Sequence, residues 1–450
     1  MSIVAKKYFI ETMGCQMNVH DSERMAGLLE AAGYEAAANV GEAELVVLNT
    51  CSVRERAEEK LFSRLGELRL QASRSGGHAR IVVTGCVAQQ EGPAILKRVP
   101  FLDVAAGTRA ERRLPVLVAN AAETGRPQVD VHLYEDGGFP QGPVRRGDPV
   151  RAYVTIVEGC NEACSFCVVP HTRGRERMRP KAEILEEVRE AAGTGHREVQ
   201  LLGQIVNHYR APDDPRCDLA GLLEAIHEVP GVARIRFASP HPRHVTPRLI
   251  GAIRDLPRVC RHLHLPVQSG STRVLAGMRR RHSREEYLDL VARIRAQVPA
   301  IALSTDMIVG FPGESVRDFE DTLSLTAAVG YHSMFSFAYS ARPNTLAWKR
   351  MPDDITREEK ARRLAELQAL QREIQTGHHE QAVGTEVDVL VDSLSRRRDW
   401  EVSGRTGGNT VVNLPGPASL LGQIVTVRVL RAGPNSLWGR VSEGPFEPSA

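Results

Sequence analysis

Residues 151–175 read RAYVTIVEGCNEACSFCVVPHTRGR: a β-rich run, RAYVTIV (151–157), empties into a loop carrying Cys160, Cys164 and Cys167. The spacing is Cys-x3-Cys-x2-Cys. Three thiolates on one short loop can hold three irons of a [4Fe–4S] cluster and leave the fourth iron open. The competing reading is a structural Cys3His zinc site, because His171 lies four residues beyond Cys167. Such zinc sites usually draw ligand pairs from two separate knuckles, whereas this set is one compact loop, so the spacing favours the cluster.

An open iron suits a cofactor that must bind the cluster directly. The amino and carboxylate groups of S-adenosylmethionine (SAM) can chelate it, and an electron from the cluster can then cleave the sulfonium C–S bond. Phe166, just before the third cysteine, suits a loop that places an aromatic ring beside the adenine of SAM. Five further strand patterns follow: EVQLL (198–202), RIRFA (234–238), RHLHL (261–265), IALSTDM (301–307) and SMFSFAY (333–339). Helical patterns intervene near 181–193, 218–229, 246–255, 284–297 and 315–329. Six β/α units in series predict an α/β partial barrel, whose chemistry sits at the C-terminal ends of the strands. Gln204, His264, Gln268 and Asp306 fall at such strand ends and are candidates for SAM or substrate contact; Arg173 and Arg175 are candidates for phosphate contact.

Upstream, KKYFI (6–10), LVVLNT (45–50), RIVVT (80–84) and a strand near 103–106 alternate with helical stretches near 21–32, 54–72 and 87–98 and from Thr108. This rhythm predicts an open parallel sheet with helices on both faces. Cys15, Cys51 and Cys86 each follow one of the first three strands. The C-terminal ends of parallel strands share one edge, so the three can converge on one site. Taken bare, strand-end cysteines are more often small structural residues, but each of these lies beside a polar or glycine turn rather than inside an apolar run. Cys217 and Cys260 have no comparable setting and read as non-ligands.

Downstream, 356–376 reads as a long helix with a Thr356/Glu359 capping box, an apolar stripe at Leu364, Leu367, Leu370 and Ile374, and Gly377 placed to end it. Five short strand patterns from residue 385 onward, separated by Gly, Pro and Asn, predict a small β-barrel of the oligonucleotide-binding type. The expected domains are therefore 1–122, a linker over 123–149 that includes GGFPQGPVRRGDP (137–149), 150–377, and 378–446.

Composition is that of a globular protein, 42% hydrophobic and 25% charged over 450 residues. No apolar run reaches the roughly 18 residues of a membrane span, and the first residues lack a secretory pattern, which predicts a cytoplasmic protein with no membrane partner. Eight cysteines in a reducing compartment point to metal or catalysis rather than to disulfides. The net charge is only +3, but residues 234–284 hold twelve arginines against one acid, Asp255, and form a candidate surface for nucleic acid.

The segments TMGCQMN, NTCSVRERAEEK, GCVAQ, EGCNEACSFCVVPHTRGRE, HLPVQSGS, DMIVGFPGES and FSFAYSARPNT, between residue 12 and about 345, resemble the methylthiotransferase family of radical SAM enzymes. Within it they resemble the branch that acts on prenylated adenosine. The last domain is similar to the family's TRAM barrel. The resemblance implies a second, auxiliary [4Fe–4S] cluster on Cys15, Cys51 and Cys86 beside the SAM cluster on Cys160, Cys164 and Cys167. It implies two SAM molecules per turnover, one donating methyl and one supplying a radical. It also implies a tRNA substrate bearing N6-dimethylallyladenosine next to the anticodon. An electron donor such as flavodoxin or ferredoxin and a monomeric state complete the expectation. The alternative within the family is action on threonylcarbamoyl-adenosine in tRNA or on a ribosomal-protein aspartate, and the remote alternative is a zinc-containing RNA-binding protein. One departure is Ile205 in GQIVN, where the family usually has asparagine.

Overall fold

The computed structural model describes residues 6–52, 55–75, 79–134, 138–139, 142–395 and 398–442. Val53 and Arg54 of NTCSVRERAEEK, residues 135–137, 140 and 141 of the linker, and residues 443–446 of the last domain lie outside the described residues. Two compact units are present: Met1–Gly147 with Val157–Ala163 and Cys167–Arg179, and Asp148–Ile156 with Cys164–Phe166 and Pro180–Ala450.

The first unit is built on a parallel sheet of β1 (Lys6–Met13), β2 (Tyr34–Ala36), β3 (Leu45–Thr50), β4 (Arg80–Gly85), β5 (Val104–Ala106) and β6 (Gln128–Asp130), in the order β2-β1-β3-β4-β5-β6. Period-2 alternation along β3 feeds two cores. Leu45 and Val47 pack with Met25, Leu29 and Leu114 on one face, and Val46 and Leu48 pack with Leu61, Leu65 and Val87 on the other. The expected boundary at 122 falls short of the fold, because β6 lies beyond it as an edge strand. β2 and β6 have three residues each, too few to show a period. The helix expected over 87–98 is broken at Gly92 and Pro93 into Cys86–Glu91 and Ile95–Arg98.

In the second unit, β7 (Arg151–Thr155), β8 (Glu198–Leu202) and β9 (Arg234–Phe237) pair in parallel, as do β10 (His262–His264), β11 (Ala302–Val309) and β12 (Ser333–Ala338). A parallel bridge between Ile235 and Val259 joins the two sets, giving the expected partial (β/α) barrel with strands in chain order. Helices cover its outer face, among them Arg284–Gln297 and Val316–Val329, both opened by reciprocal serine capping boxes. The long helix begins as expected, with Thr356 Oγ1 accepting from Glu359 N–H. The Glu359 carboxylate, however, goes to Arg362 and Arg363 rather than back to the cap.

Gly377 does not end this helix, which runs over Arg357–Ala382. His378 and His379 reach the carbonyls of Gly330 (3.0 Å) and Gly433 (2.7 Å), so bonds to neighbouring loops hold the turn that glycine alone would loosen. Its buried face is also more polar than the leucine stripe implied. Leu367 is fully buried, but so are Arg363, bonded to Glu314 at 2.7 Å, and Gln371, bonded to the Tyr331 carbonyl at 2.8 Å.

The closed terminal barrel has five strands, β13 (Glu386–Leu394), β14 (Glu401–Thr406), β15 (Val411–Pro415), β16 (Ile424–Ala432) and β17 (Leu437–Val441), ordered β13-β14-β15-β17-β16. Arginines from strand β9 of the partial barrel grip it. Arg236 donates to the carbonyls of Thr406 (2.7 Å) and Gly407 (3.1 Å), and Arg234 to those of Arg405 and Asp388. Glu198 lies buried between Arg236 (2.7 Å) and Arg151 (2.6 Å), and Arg151 also reaches Asp392 (3.1 Å). The arginine-rich block is therefore divided: Arg234, Arg236 and Arg280 are buried, whereas Arg243, Arg248, Arg254, Arg261, Arg273, Arg279 and Arg281 stay exposed. Arg248, Arg254 and Arg273 pair with acids, and Arg258, Arg280 and Arg284 bond carbonyls, so part of the block is engaged within the chain itself.

Candidate active site

Each N-terminal cysteine sits where a strand turns into a helix or loop. Cys15 caps helix Gln16–Ala31, and Asn18 Oδ1 accepts from both its N–H (3.2 Å) and its thiol (3.3 Å). Cys51 follows β3, its N–H bonded to Met13 O at 3.1 Å. Cys86 opens helix Cys86–Glu91 after Gly85, whose φ of 89° only glycine adopts freely. A Cβ at Gly85 would also lie 2.4 Å from Asn49 Oδ1. Asn49 in turn ties β3 to the first helix through Asn18 O (2.8 Å) and Ser22 Oγ (3.0 Å).

The three thiols meet. Cys51 hydrogen-bonds both Cys15 and Cys86. That bond, together with the nearby Arg173 charge, holds Cys15 and Cys86 below the ordinary thiol range against the upward push of burial. Cys51, bonded to both, is pushed up. Soft thiolate donors, two of them at helix N-termini and within the field of a buried guanidinium, suit an iron–sulfur cluster.

Arg173 does not fit the expected phosphate role. It is not available to a phosphate, because it is 4% exposed and bonds Asp21 at 2.6 Å. Among the described residues, Asp21, Glu111 and Glu158 are the group of three metal-competent side chains whose ligand atoms lie within 4.8 Å of one another, and Arg173 supplies them with positive charge. Burial raises Asp21, and Arg173 opposes it. Arg173→Met should destabilise the fold by about 3–5 kcal/mol, the cost of leaving one buried partner uncompensated. Urea unfolding of Arg173→Met beside Arg173→Lys checks this, with Lys expected to recover part of the loss. Arg175 stays exposed.

In the second cysteine loop, Gly159 (φ 77°) precedes Cys160, and a Cβ there would lie 2.1 Å from Arg175 O. Cys160 N–H bonds Gly174 O (3.2 Å), and its sulfur accepts from Glu162 N–H (3.4 Å). Arg280 Nη1 lies 3.8 Å from Cys164 Sγ while its Nη2 bonds Pro266 O at 2.6 Å. Ser165 anchors the loop through Met278 O (3.0 Å) and Gly277 O (2.8 Å), and Phe166 packs against an apolar cluster of Met278, Phe311 and Tyr339. Sequence reasoning did not single out Arg280. It lies 116 residues from Cys164 inside an arginine run, and nothing local separates it from its neighbours.

The structure brings three of the four strand-end candidates together. His264 Nδ1 bonds Ser304 Oγ (2.9 Å), and its Nε2 faces Asp306 at 3.4 Å. Gln268 N–H bonds Asp306 O (3.0 Å) with φ at 83°, a strained value for a non-glycine residue of the kind that clusters at functional sites. Gln204 follows β8 in the other strand set, and Ile205 beside it is buried. Cys217 and Cys260 are buried thiols raised by desolvation, in keeping with a packing role.

A partial barrel whose first strand runs into a three-cysteine loop, joined to an α/β sheet and a small β-barrel, defines a radical SAM protein. The sequence profile of the Radical SAM superfamily matches residues 154–326, that of the TRAM domain 380–442, and one described as an uncharacterized protein family 7–107. A tRNA-2-methylthio-N(6)-dimethylallyladenosine synthase of Bordetella petrii is 45% identical over 98% of this chain and 92% of its own. The synthase of the same name from Alkalilimnicola ehrlichii is 47% identical over 97% of both chains. A radical SAM methyltransferase, TsrM, from Kitasatospora setae, solved with cobalamin and a [4Fe–4S] cluster, shares the fold alone, with a TM-score of 0.54 at 15% identity over 92% of this chain and 80% of that one. The chain belongs to the tRNA-2-methylthio-N(6)-dimethylallyladenosine synthase family. Among the described residues no helix is long and apolar enough to cross a membrane.

Proposed function

We propose that this enzyme converts N6-dimethylallyladenosine beside the anticodon of tRNA into its 2-methylthio derivative. In this reading Cys160, Cys164 and Cys167 hold the cluster that binds SAM, and Cys15, Cys51 and Cys86 hold an auxiliary cluster. The observation that carries it is the meeting of three strand-end thiols in a chain related over nearly its full length to synthases of that name. When bound, the clusters and SAM supply one-electron cleavage, methyl and sulfur, chemistry no side chain can offer.

The chain's residues orient and tune. The target C2–H has no proton acidic enough for a side-chain base, so no general base is assigned. Arg280 N–H and Glu162 N–H donate to the Cys164 and Cys160 sulfurs that would ligate the cluster, and bonds of this kind tune a cluster's reduction potential. Gln204, His264, Gln268 and Asp306 contact SAM or substrate. An external donor of the flavodoxin or ferredoxin class supplies electrons, and the enzyme works as a cytoplasmic monomer. Mass spectrometry of tRNA nucleosides from a deletion strain tests the assignment. The 2-methylthio prenylated nucleoside should vanish while its prenylated precursor accumulates. Loss from a threonylcarbamoyl nucleoside alone, or from a ribosomal-protein aspartate, would assign another branch of the family.

A further inference from the structure

The last barrel strand, β12, carries an apolar face that the cluster chemistry does not explain. Phe335 is 54% exposed and Phe337 37%, in a strand whose neighbours are largely covered. The register shows which way they face. Asp306 pairs with Phe335, and Ile308 with Phe337, so in a parallel ladder these four side chains share one side of the sheet. The opposite side is closed. Thr305 bonds Leu265 O, Met307 is fully buried, and Ser336 Oγ accepts from Gln368 of the long helix at 3.3 Å. Phe335 and Phe337 therefore stand on the inner face of the barrel.

That face is continuous with the radical-SAM loop. Ile308, the register partner of Phe337, packs in the same apolar cluster as Phe166, which lies between Cys164 and Cys167. One step deeper, the Phe335 ring meets His264 edge-on at 6.0 Å, and His264 faces Asp306 at 3.4 Å. The Asp306 side chain remains 29% exposed. Two open aromatic rings beside a partly exposed carboxylate complement a flat heteroaromatic base with an aliphatic tail and one N–H donor. A prenylated adenine has those three features, since the prenyl group leaves a single hydrogen on N6.

We propose that Phe335 and Phe337 form the wall that selects the prenylated base, with the rings packing on the base and its dimethylallyl group and Asp306 accepting the N6–H. This rests on the function proposed above and adds the side chains that enforce it. Base–aromatic contacts are sequence-tolerant, so discrimination between prenylated and plain adenine comes from the tail.

The test uses the full-length enzyme reconstituted anaerobically, with anticodon stem-loop RNA carrying either N6-dimethylallyladenosine or adenosine at the target position. Binding by fluorescence anisotropy and turnover are both read. In Phe335→Ala/Phe337→Ala the Kd for prenylated RNA should rise about ten- to a hundred-fold, and the preference over plain RNA should collapse. Phe335→Tyr, which keeps the ring, should retain most of that preference and shows that the strand tolerates substitution. A double variant that keeps the wild-type preference overturns the proposal. So does one in which both RNAs weaken equally, or one whose KM for SAM rises in place of the RNA Kd, which would make the wall a SAM contact. Wild-type enzyme that ignores prenylated RNA would fail the function itself, an outcome read before any variant is made.

Discussion

Cys164→Ala should abolish release of 5′-deoxyadenosine from SAM and halve the iron of the reconstituted enzyme, from about eight to about four atoms per chain. The size of the effect follows from donor count. Three thiolates on one loop are the smallest set that holds a cubane with one iron left open, so losing one leaves too few donors. The substitution also strips the sulfur that Arg280 Nη1 approaches at 3.8 Å, in a side chain only 6% exposed. Cys217→Ala is the matched control, a buried thiol in the same compact unit, whose sulfur approaches nothing closer than a local carbonyl at 3.6 Å among its hydrogen bonds. It should keep iron and SAM cleavage. A Cys164→Ala enzyme that still released 5′-deoxyadenosine would remove the assignment on which the rest depends.

The fold was legible where a period had room to repeat. Helices Lys181–Gly193 and Arg284–Gln297 fall where the sequence pattern places them, and so do all five strands of the terminal barrel. Several readings failed because a residue's meaning depends on what lies far along the chain. Gly377 looks like a helix stop until His378 and His379 find carbonyls 48 and 54 residues away. Arg173 looks like a phosphate ligand until β1's helix presents Asp21, 152 residues earlier. Arg234 and Arg236 look cationic and free, yet backbone carbonyls of a barrel some 170 residues on absorb them. Charge in a sequence shows that a partner is needed, but not whether the partner is RNA or the chain itself. For the site, the six cysteines were readable, while the asparagines that shape their turns, Asn18 and Asn49, gave no signal beyond their place in the resembling segments.

Replacing Cys15, Cys51 and Cys86 together by alanine should also leave about four irons per chain, but with the opposite chemical consequence. SAM cleavage should persist, because the Cys160–Cys167 loop is intact, and the 2-methylthio product should be absent. The two experiments thus separate radical generation from sulfur delivery by which product disappears at equal iron. The structure makes the triple variant a fair test of ligation rather than of folding. Cys15 is only half-buried, and alanine fills most of the volume of the buried Cys51 and Cys86 without touching the two cores of the sheet. Arg173 has a partner other than the thiols in Asp21, at 2.6 Å. Iron content equal to wild type in the triple variant would mean that no auxiliary cluster binds there. The convergence of the three thiols would then be packing at the sheet edge, and the sulfur would have to reach the base by another route.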